Sequence, residues 1–439
     1  MRSKAAISTL PLTSALALTI ALTACSKAEG PGDSAVRRTM TTHELSIGGI
    51  ITSRDETVTE EPTAGAENGT APAARSGSLT AADYDDNLNP ELYAAYASHA
   101  LQASGDMDLP FIDTRTRVAM KVVDAAGRPV PHARLDVARD HGTLRLFSAA
   151  DGIASFYPAF DGVGSNPRVK VSSGVGSLSR TLQLGKRGDT FVTFKLPGQA
   201  QPVSAMDLVI VLDATGSMGD EMDYLRAELD AIVSRLKRES GNLDLRIGLV
   251  LYRDDGDDYV TRSFPLTENV RSVRAILDAQ EANGGGDMPE AVDRALVAAE
   301  HMQWRPDAAK AMLLIADAPP HENALGTTLA TTQRLRSRGV QIVPVAASGV
   351  EDSAQYVMRT MAVLTQGRYI FLTDDSGVGN AHAEPDVSCY LVTRLDQLIA
   401  RVLAGFIEGR RIEPQQDEVI RAAGIYDRGR CRIPQQSSS

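Results

Sequence analysis

The sequence predicts an α/β protein: a doubly wound, mostly parallel sheet, preceded by a small all-β sandwich. Three observations carry that expectation. From about residue 205, short apolar runs ("DLVIVL", "LRIGLVLY", "AMLLIAD", "VQIVPVA", "RYIFLT") alternate with stretches of helical period. Residues 110–198 alternate apolar and polar positions around Gly- and Pro-containing turns instead. A length of 439 residues also exceeds one average domain.

The elements follow in chain order. Arg2 and Lys4 precede an uncharged stretch from Ala5 to Ala24, the pattern of a signal peptide. Pro11 and the scattered hydroxyls within it disfavour a stable membrane span. The stretch ends in "LTAC" (Leu22–Cys25), which resembles the lipobox of bacterial lipoproteins. That resemblance implies removal of residues 1–24, a lipid on Cys25, and a lipid-anchored place in the bacterial cell envelope. Ser26 then implies the outer rather than the inner membrane. An ordinary cleaved signal with an incidental cysteine is the alternative. Residues 25–80 are rich in Gly, Thr, Ala, Glu and Pro and predict a disordered tether. Residues 81–109 hold one short helix in "NPELYAAYASHALQ".

In residues 110–198, "TRVAMKVVDAAGRPVPHARLDVAR", "SAADGIASFYP", "PRVKVSS", "SRTLQL" and "DTFVTFKL" predict five to seven short strands. The "VDAAGRPVPHARL" and "DGIASF" pieces resemble carboxypeptidase-regulatory-like and transthyretin-like modules, which implies a spacer or a minor binding surface. In the α/β region, 205–408, the first helix places Met222, Leu225, Leu229, Ile232, Val233 and Leu236 on one face, with Asp220 as its N-cap. Pro344 predicts a bulge in its strand. Residues 409–439 are polar and read as a tail with a short helix at "DEVIRAAG". With Cys25 assigned to lipid, Cys389 and Cys431 remain as an even pair, either bridged or as two thiols.

A net charge of -11 with no basic stripe argues against a nucleic-acid partner. Catalytic signatures are missing too: there is no GxSxG, HExxH or P-loop, and "HENAL" lacks the second histidine. The chain is therefore expected not to be an enzyme.

The chemistry concentrates in three loops. "DATGS" brings Asp213, Thr215 and Ser217 to the end of the first α/β strand, where binding sites form in such sheets. "NGGGDMPEA" brings Asp287 and "LLIADAPPH" brings Asp317 to the same edge. Carboxylates and hydroxyls together make a hard oxygen set suited to Mg²⁺, or to Mn²⁺ or Ca²⁺. The structural alternatives are a helix-capping turn for the first three, a helix N-cap for Asp287 ahead of Pro289, and a plain turn for Asp317. This set resembles the metal-ion-dependent adhesion site of the von Willebrand factor type A fold, over residues 205–408. The family's usual threonine is replaced here by the glycine run 284–286 and Asp287, a form that a subset of the family carries. Asp287 then acts directly or through a water.

"YRDDGDDY" adds Asp254 and Asp255 near that edge, and His321 follows Asp317; these are candidate partner contacts, against a solvated turn and a packed loop histidine. The resemblance implies an adhesion or envelope-interaction protein whose unidentified protein ligand offers an acidic side chain to the ion. The second reading is an envelope scaffold in which the ion is purely structural.

Overall fold

The structure is a computed structural model that describes residues 79–103, 109–185, 190–286, 288–347, 349–377 and 384–432, all within one compact unit. The predicted leader, Cys25, the tether up to residue 78 and Asp287 lie outside the described residues.

The first element differs from the sequence expectation. Strand β1 (Thr80–Tyr84) stands where a tether was expected to give way to a helix, and all five of its residues are buried. Helix α1 (Pro90–Ala103) follows it. Strands β2 (Val118–Val123), β3 (Arg134–Ala138), β4 (Thr143–Phe147) and β5 (Ile153–Phe156) come next, with the one-turn helix α2 (Pro158–Asp161). Strands β6 (Arg168–Ser173), β7 (Gly176–Thr181) and β8 (Phe191–Lys195) complete the region. These seven strands form a three-stranded sheet, β5-β2-β8, and a four-stranded sheet, β4-β3-β6-β7. Met120, Val122, Phe156 and Phe194 from the first share one core with Leu135, Val137, Val169 and Val171 from the second. Their inward alternation is what the period-2 pattern requires.

The α/β region begins with β9 (Ala205–Asp213), α3 (Gly219–Glu239), β10 (Asp244–Tyr252), β11 (Thr261–Thr267), α4 (Val270–Asp278) and α5 (Val292–Glu300). It continues through β12 (Ala309–Ala316), α6 (Leu325–Arg336), β13 (Val340–Ala346), α7 (Asp352–Thr365), β14 (Tyr369–Thr373), β15 (Tyr390–Arg394) and α8 (Leu395–Glu408). Strand β16 (Arg421–Ala423) and a small hairpin of β17 (Tyr426–Asp427) and β18 (Arg430–Cys431) end it. The nine-stranded sheet runs β11-β10-β9-β12-β13-β14-β1-β15-β16. Its middle, β10 to β14, is parallel; β1 pairs antiparallel with both β14 and β15. The fold is a doubly wound α/β fold. Along β9, Leu208, Ile210 and Leu212 pack toward one helical layer (α3, α8), while Val209 and Val211 pack toward the other (α1, α5, α6, α7). Strands buried on both faces must be apolar throughout, hence the continuous runs.

Three local expectations are corrected. Asp220 lies in the first turn of α3 rather than at its N-cap, because the 3-10 turn Gly216–Met218 leads straight into the helix. There its carboxylate still faces the positive end of the helix dipole. Pro344 makes no bulge: β12 and β13 pair in continuous register, and β13 meets β14 only from Val345 onward. The proline precedes that ladder, so its missing N–H costs nothing there. The tail is built into the sheet, with β16 paired to β15 where a short helix was expected. Cys389 and Cys431 are bridged, with their Cα atoms 5.4 Å apart, which ties that tail down.

The two bodies share buried polar contacts. Arg336 of α6 forks onto Asp161 at the end of α2, at 2.8 and 3.1 Å, and also donates to Ser155 O at 2.7 Å. Tyr157 donates to Val363 O at 3.1 Å.

Candidate functional site

Strand order reverses between β9 and β12: β10 and β11 extend one way, β13 and β14 the other. Loops leaving the carboxyl ends of β9 and β12 diverge there and open a crevice. Asp213 ends β9, and Asp317 follows the last residue of β12. Asp213 is fully buried, and its Oδ1 accepts from Thr215 N at 2.9 Å and from Thr215 Oγ1 at 2.7 Å. Ser217 Oγ lies 3.5 Å from Thr215 Oγ1 and turns toward Asp317, whose carboxyl it helps to keep ionised. The four predicted oxygen-bearing side chains thus come together. Asp213 Oδ2 is buried beside the Tyr252 hydroxyl, and neither makes a well-formed hydrogen bond.

The glycine run has a steric reason. Gly284, Gly285 and Gly286 have φ of 83°, 70° and 155°, in the region that only glycine enters freely. A Cβ on Gly284 would stand 2.4 Å from Asp257 Oδ1. One on Gly285 would stand 3.0 Å from Glu290 Oε1 and 3.1 Å from Thr215 Cβ. The loop is drawn against β9 by Asn283 N donating to Ala214 O at 3.0 Å and Gly216 N donating to Gly284 O at 3.1 Å. Asp257 clamps it from the other side, accepting from Gly285 N at 2.9 Å and Asp254 N at 3.1 Å.

That packing delivers a residue the sequence reading passed over. Glu290 is buried between the glycine loop and the Pro319–Pro320 segment, with its N donating to Pro319 O at 3.0 Å. Its Oε2 makes no hydrogen bond. The signal was present in "GGGDMPEA": a glutamate beside a proline, in a loop already assigned to the site. Helix α5 starts only at Val292, capped at Ala291, so the alternative of Asp287 as its N-cap falls away.

Electrostatically the cluster is strained toward protonation. Burial, then the charge of Asp317, pushes Asp213 up to about 7, against the pull of the Thr215 bonds. Burial, then Asp213, Asp254, Asp317 and Asp257, pushes Glu290 up to about 9. Asp317 is also raised by burial. A hard divalent cation among these oxygens would relieve that repulsion, and the donor set suits one. Among the described residues no group of three or more His, Cys, Asp or Glu side chains is placed to hold a metal. The cluster here instead combines two predicted carboxylates with two hydroxyls.

The candidate partner contacts separate. Asp254 is buried, and its Oδ1 lies 2.6 Å from His321 Nε2, which makes the two a structural pair at the crevice wall. Asp255 is exposed, with its nearest ion-pair partner, Arg294, at 3.9 Å.

Residues 207–382 match the von Willebrand factor type A domain. They are such a domain. The A domain's match takes in Asp213, Thr215, Ser217, Glu290 and Asp317, and ends before β15. Over 165 residues the chain is 27% identical to alpha-protein kinase vwkA of Dictyostelium discoideum, covering 36% of this chain and 26% of that protein. The chain therefore spans about a quarter of that relative's length. Among solved structures it is similar to the conserved hypothetical protein BatB of Bacteroides thetaiotaomicron, at 15% identity and a TM-score of 0.32, covering 46% of this chain and 98% of that one. It is also similar to the pilus adhesin SpaC of Lactobacillus rhamnosus GG, at 12% identity and a TM-score of 0.33, covering 56% and 32%.

Proposed function

We propose that this chain is a lipid-anchored protein of the bacterial cell envelope that captures a protein partner through a divalent cation at the A-domain crevice. Asp213, Thr215, Ser217 and Asp317 would hold the ion, with Asp287 joining directly or through a water. The observation that carries this reading is the fully buried Asp213, with one oxygen on Thr215 and the other without a formed hydrogen bond. A carboxylate oxygen in such a place, with only the Tyr252 hydroxyl beside it, is costly unless a ligand completes it. When bound, the ion supplies a positive centre on which a partner's oxygen can dock; Cys25 supplies the anchor. Mg²⁺ is the expected ion, with Mn²⁺ or Ca²⁺ as substitutes.

One observation favours a second reading. Glu290 brings a further buried carboxylate to the crevice, which can serve as a built-in substitute for a partner's acid. The ion would then be closed off and structural, and the protein a scaffold.

Thermal unfolding of the mature chain in EDTA, and then in Mg²⁺, Mn²⁺ or Ca²⁺, tests the site. Saturation to about a hundredfold over Kd adds about 2.7 kcal/mol, which for a unit of about 350 residues raises Tm by about 4 °C. Asp213→Ala should abolish the shift. No shift in the wild type with any of the three ions would end the cation reading. Given a shift, cation-dependent capture of envelope proteins that Asp213→Ala loses while still folded supports adhesion. Cation-dependent stability without capture supports the scaffold.

A further inference from the structure

At the opposite edge of the main sheet lies a cleft unrelated to the crevice. Its volume is about 610 Å³. The edge strand β4 contributes Arg145 and Phe147; the segment between α5 and β12 contributes Trp304 and leads into Lys310; the turn after α6 contributes Arg338. Clefts between packed bodies, with a few converging polar groups on apolar walls, are where small ligands bind.

Charge there runs against the molecule. In a chain of net charge -11, no acidic side chain lines this cleft among the described residues. The carboxylates bonded to the lining arginines are each divided between two guanidinium groups, while Asp207 and Asp307 act on Lys310. Asp136 lies 2.9 Å from Arg134 and 3.5 Å from Arg145. Glu300 lies 2.8 Å from Arg334 and 3.4 Å from Arg338. Lys310 is buried, and its Nζ donates to Pro306 O and Ala308 O, both at 3.2 Å. An ammonium has three donors, so among the described residues one is left for a ligand. Burial lowers this lysine to about 8, although the charges of Asp207 and Asp307 pull the other way. Trp304 is pinned by its Nε1 donating to Ala299 O at 2.9 Å, and Phe147 adds a second aromatic wall.

We propose that this cleft binds a phosphate-bearing organic ligand, with the phosphate among Arg145, Lys310 and Arg338 and the organic part against Trp304 and Phe147. Three cationic heads around one space suit a tetrahedral dianion better than a single carboxylate, and arginine matches phosphate oxygens two at a time. The phosphate can belong to a free phosphomonoester or to an anionic lipid headgroup.

Trp304 is the only tryptophan of the chain, so its fluorescence reports on this cleft alone. The full chain is titrated with inorganic phosphate, glucose 6-phosphate, adenosine monophosphate, and vesicles of phosphatidylcholine with and without phosphatidylglycerol. A saturable change with at least one phosphate-bearing probe is expected, weakened about tenfold or more in Arg145→Glu and in Arg338→Glu. Soluble phosphates acting alone identify a phosphomonoester site; vesicles with phosphatidylglycerol acting alone identify a headgroup site. No saturable change with any probe up to about 10 mM overturns the proposal. So does a change that survives unaltered in the charge-reversed variants. Arg145 sits on the sandwich edge and Arg338 on the α/β body, so a folding defect in one variant leaves the other informative.

Discussion

At the scale of single residues, the crevice turns burial into a dependence on protons and cations. Asp213 at about 7 and Glu290 at about 9 both sit above the ordinary carboxyl range. A carboxyl whose folded pKa is raised favours the fold while it is protonated. That contribution is complete below about pH 4 and is lost as pH rises through the folded values. In EDTA, the wild type should therefore lose thermal stability between about pH 5 and 9 relative to the Asp213→Asn, Glu290→Gln double variant. Saturating Mg²⁺ should remove that loss, since the ion takes over from the protons. Equal pH profiles for the two proteins would show that the carboxyls are not strained. Asp213, Thr215, Ser217 and Asp317 were legible in the sequence because each stands at a strand end or in the turn beyond it. Glu290 was not, because its place depends on three positive-φ glycines folding the loop back onto Thr215. That is a three-dimensional consequence of the motif, not a spacing within it.

Among the elements, those with their own apolar signal were readable and those that borrow burial from neighbours were not. β9, β10, β12, β13 and β14 announce themselves as continuous aliphatic runs. β1 is "TAADY", with no β-branched run, and becomes a strand only because β14 and β15 supply hydrogen bonds on both sides. β16 is equally mute, a three-residue strand held by the β15 ladder. Small side chains suit β1 because both of its faces are covered: Ala81 and Ala82 are fully buried in opposite cores. Ala82→Leu should accordingly cost about 1–3 kcal/mol by overpacking, read from the midpoint of urea unfolding. A change below about 0.5 kcal/mol would show that β1 is not tightly enclosed.

For the molecule as a whole, the sandwich is more closely joined to the α/β body than a spacer on a flexible linker would be. The Arg336–Asp161 pair is nearly inaccessible, with side-chain exposures of 5% and 2%. Removing one partner of a buried pair leaves an uncompensated charge, so Arg336→Ala should destabilise by about 3–5 kcal/mol. Urea unfolding followed separately by far-UV circular dichroism and by Trp304 fluorescence checks this. One shared transition, moved to lower urea, is expected; two transitions, or a loss below about 1 kcal/mol, would mean that the bodies fold independently. The sequence could suggest two bodies from their different periodicities, but a cross-body ion pair 175 positions apart leaves no periodic trace.

The placing of β1 also has a mechanical consequence. The chain enters the main sheet at Leu79 and runs directly along β1, which is laddered to β14 on one side and β15 on the other. Consider a pull on the preceding residues directed along the axis of that strand. It loads the hydrogen bonds of both ladders together, in shear, instead of unzipping them one by one. The load path therefore passes first into the sheet that carries the crevice, and the seven-stranded sandwich is bypassed.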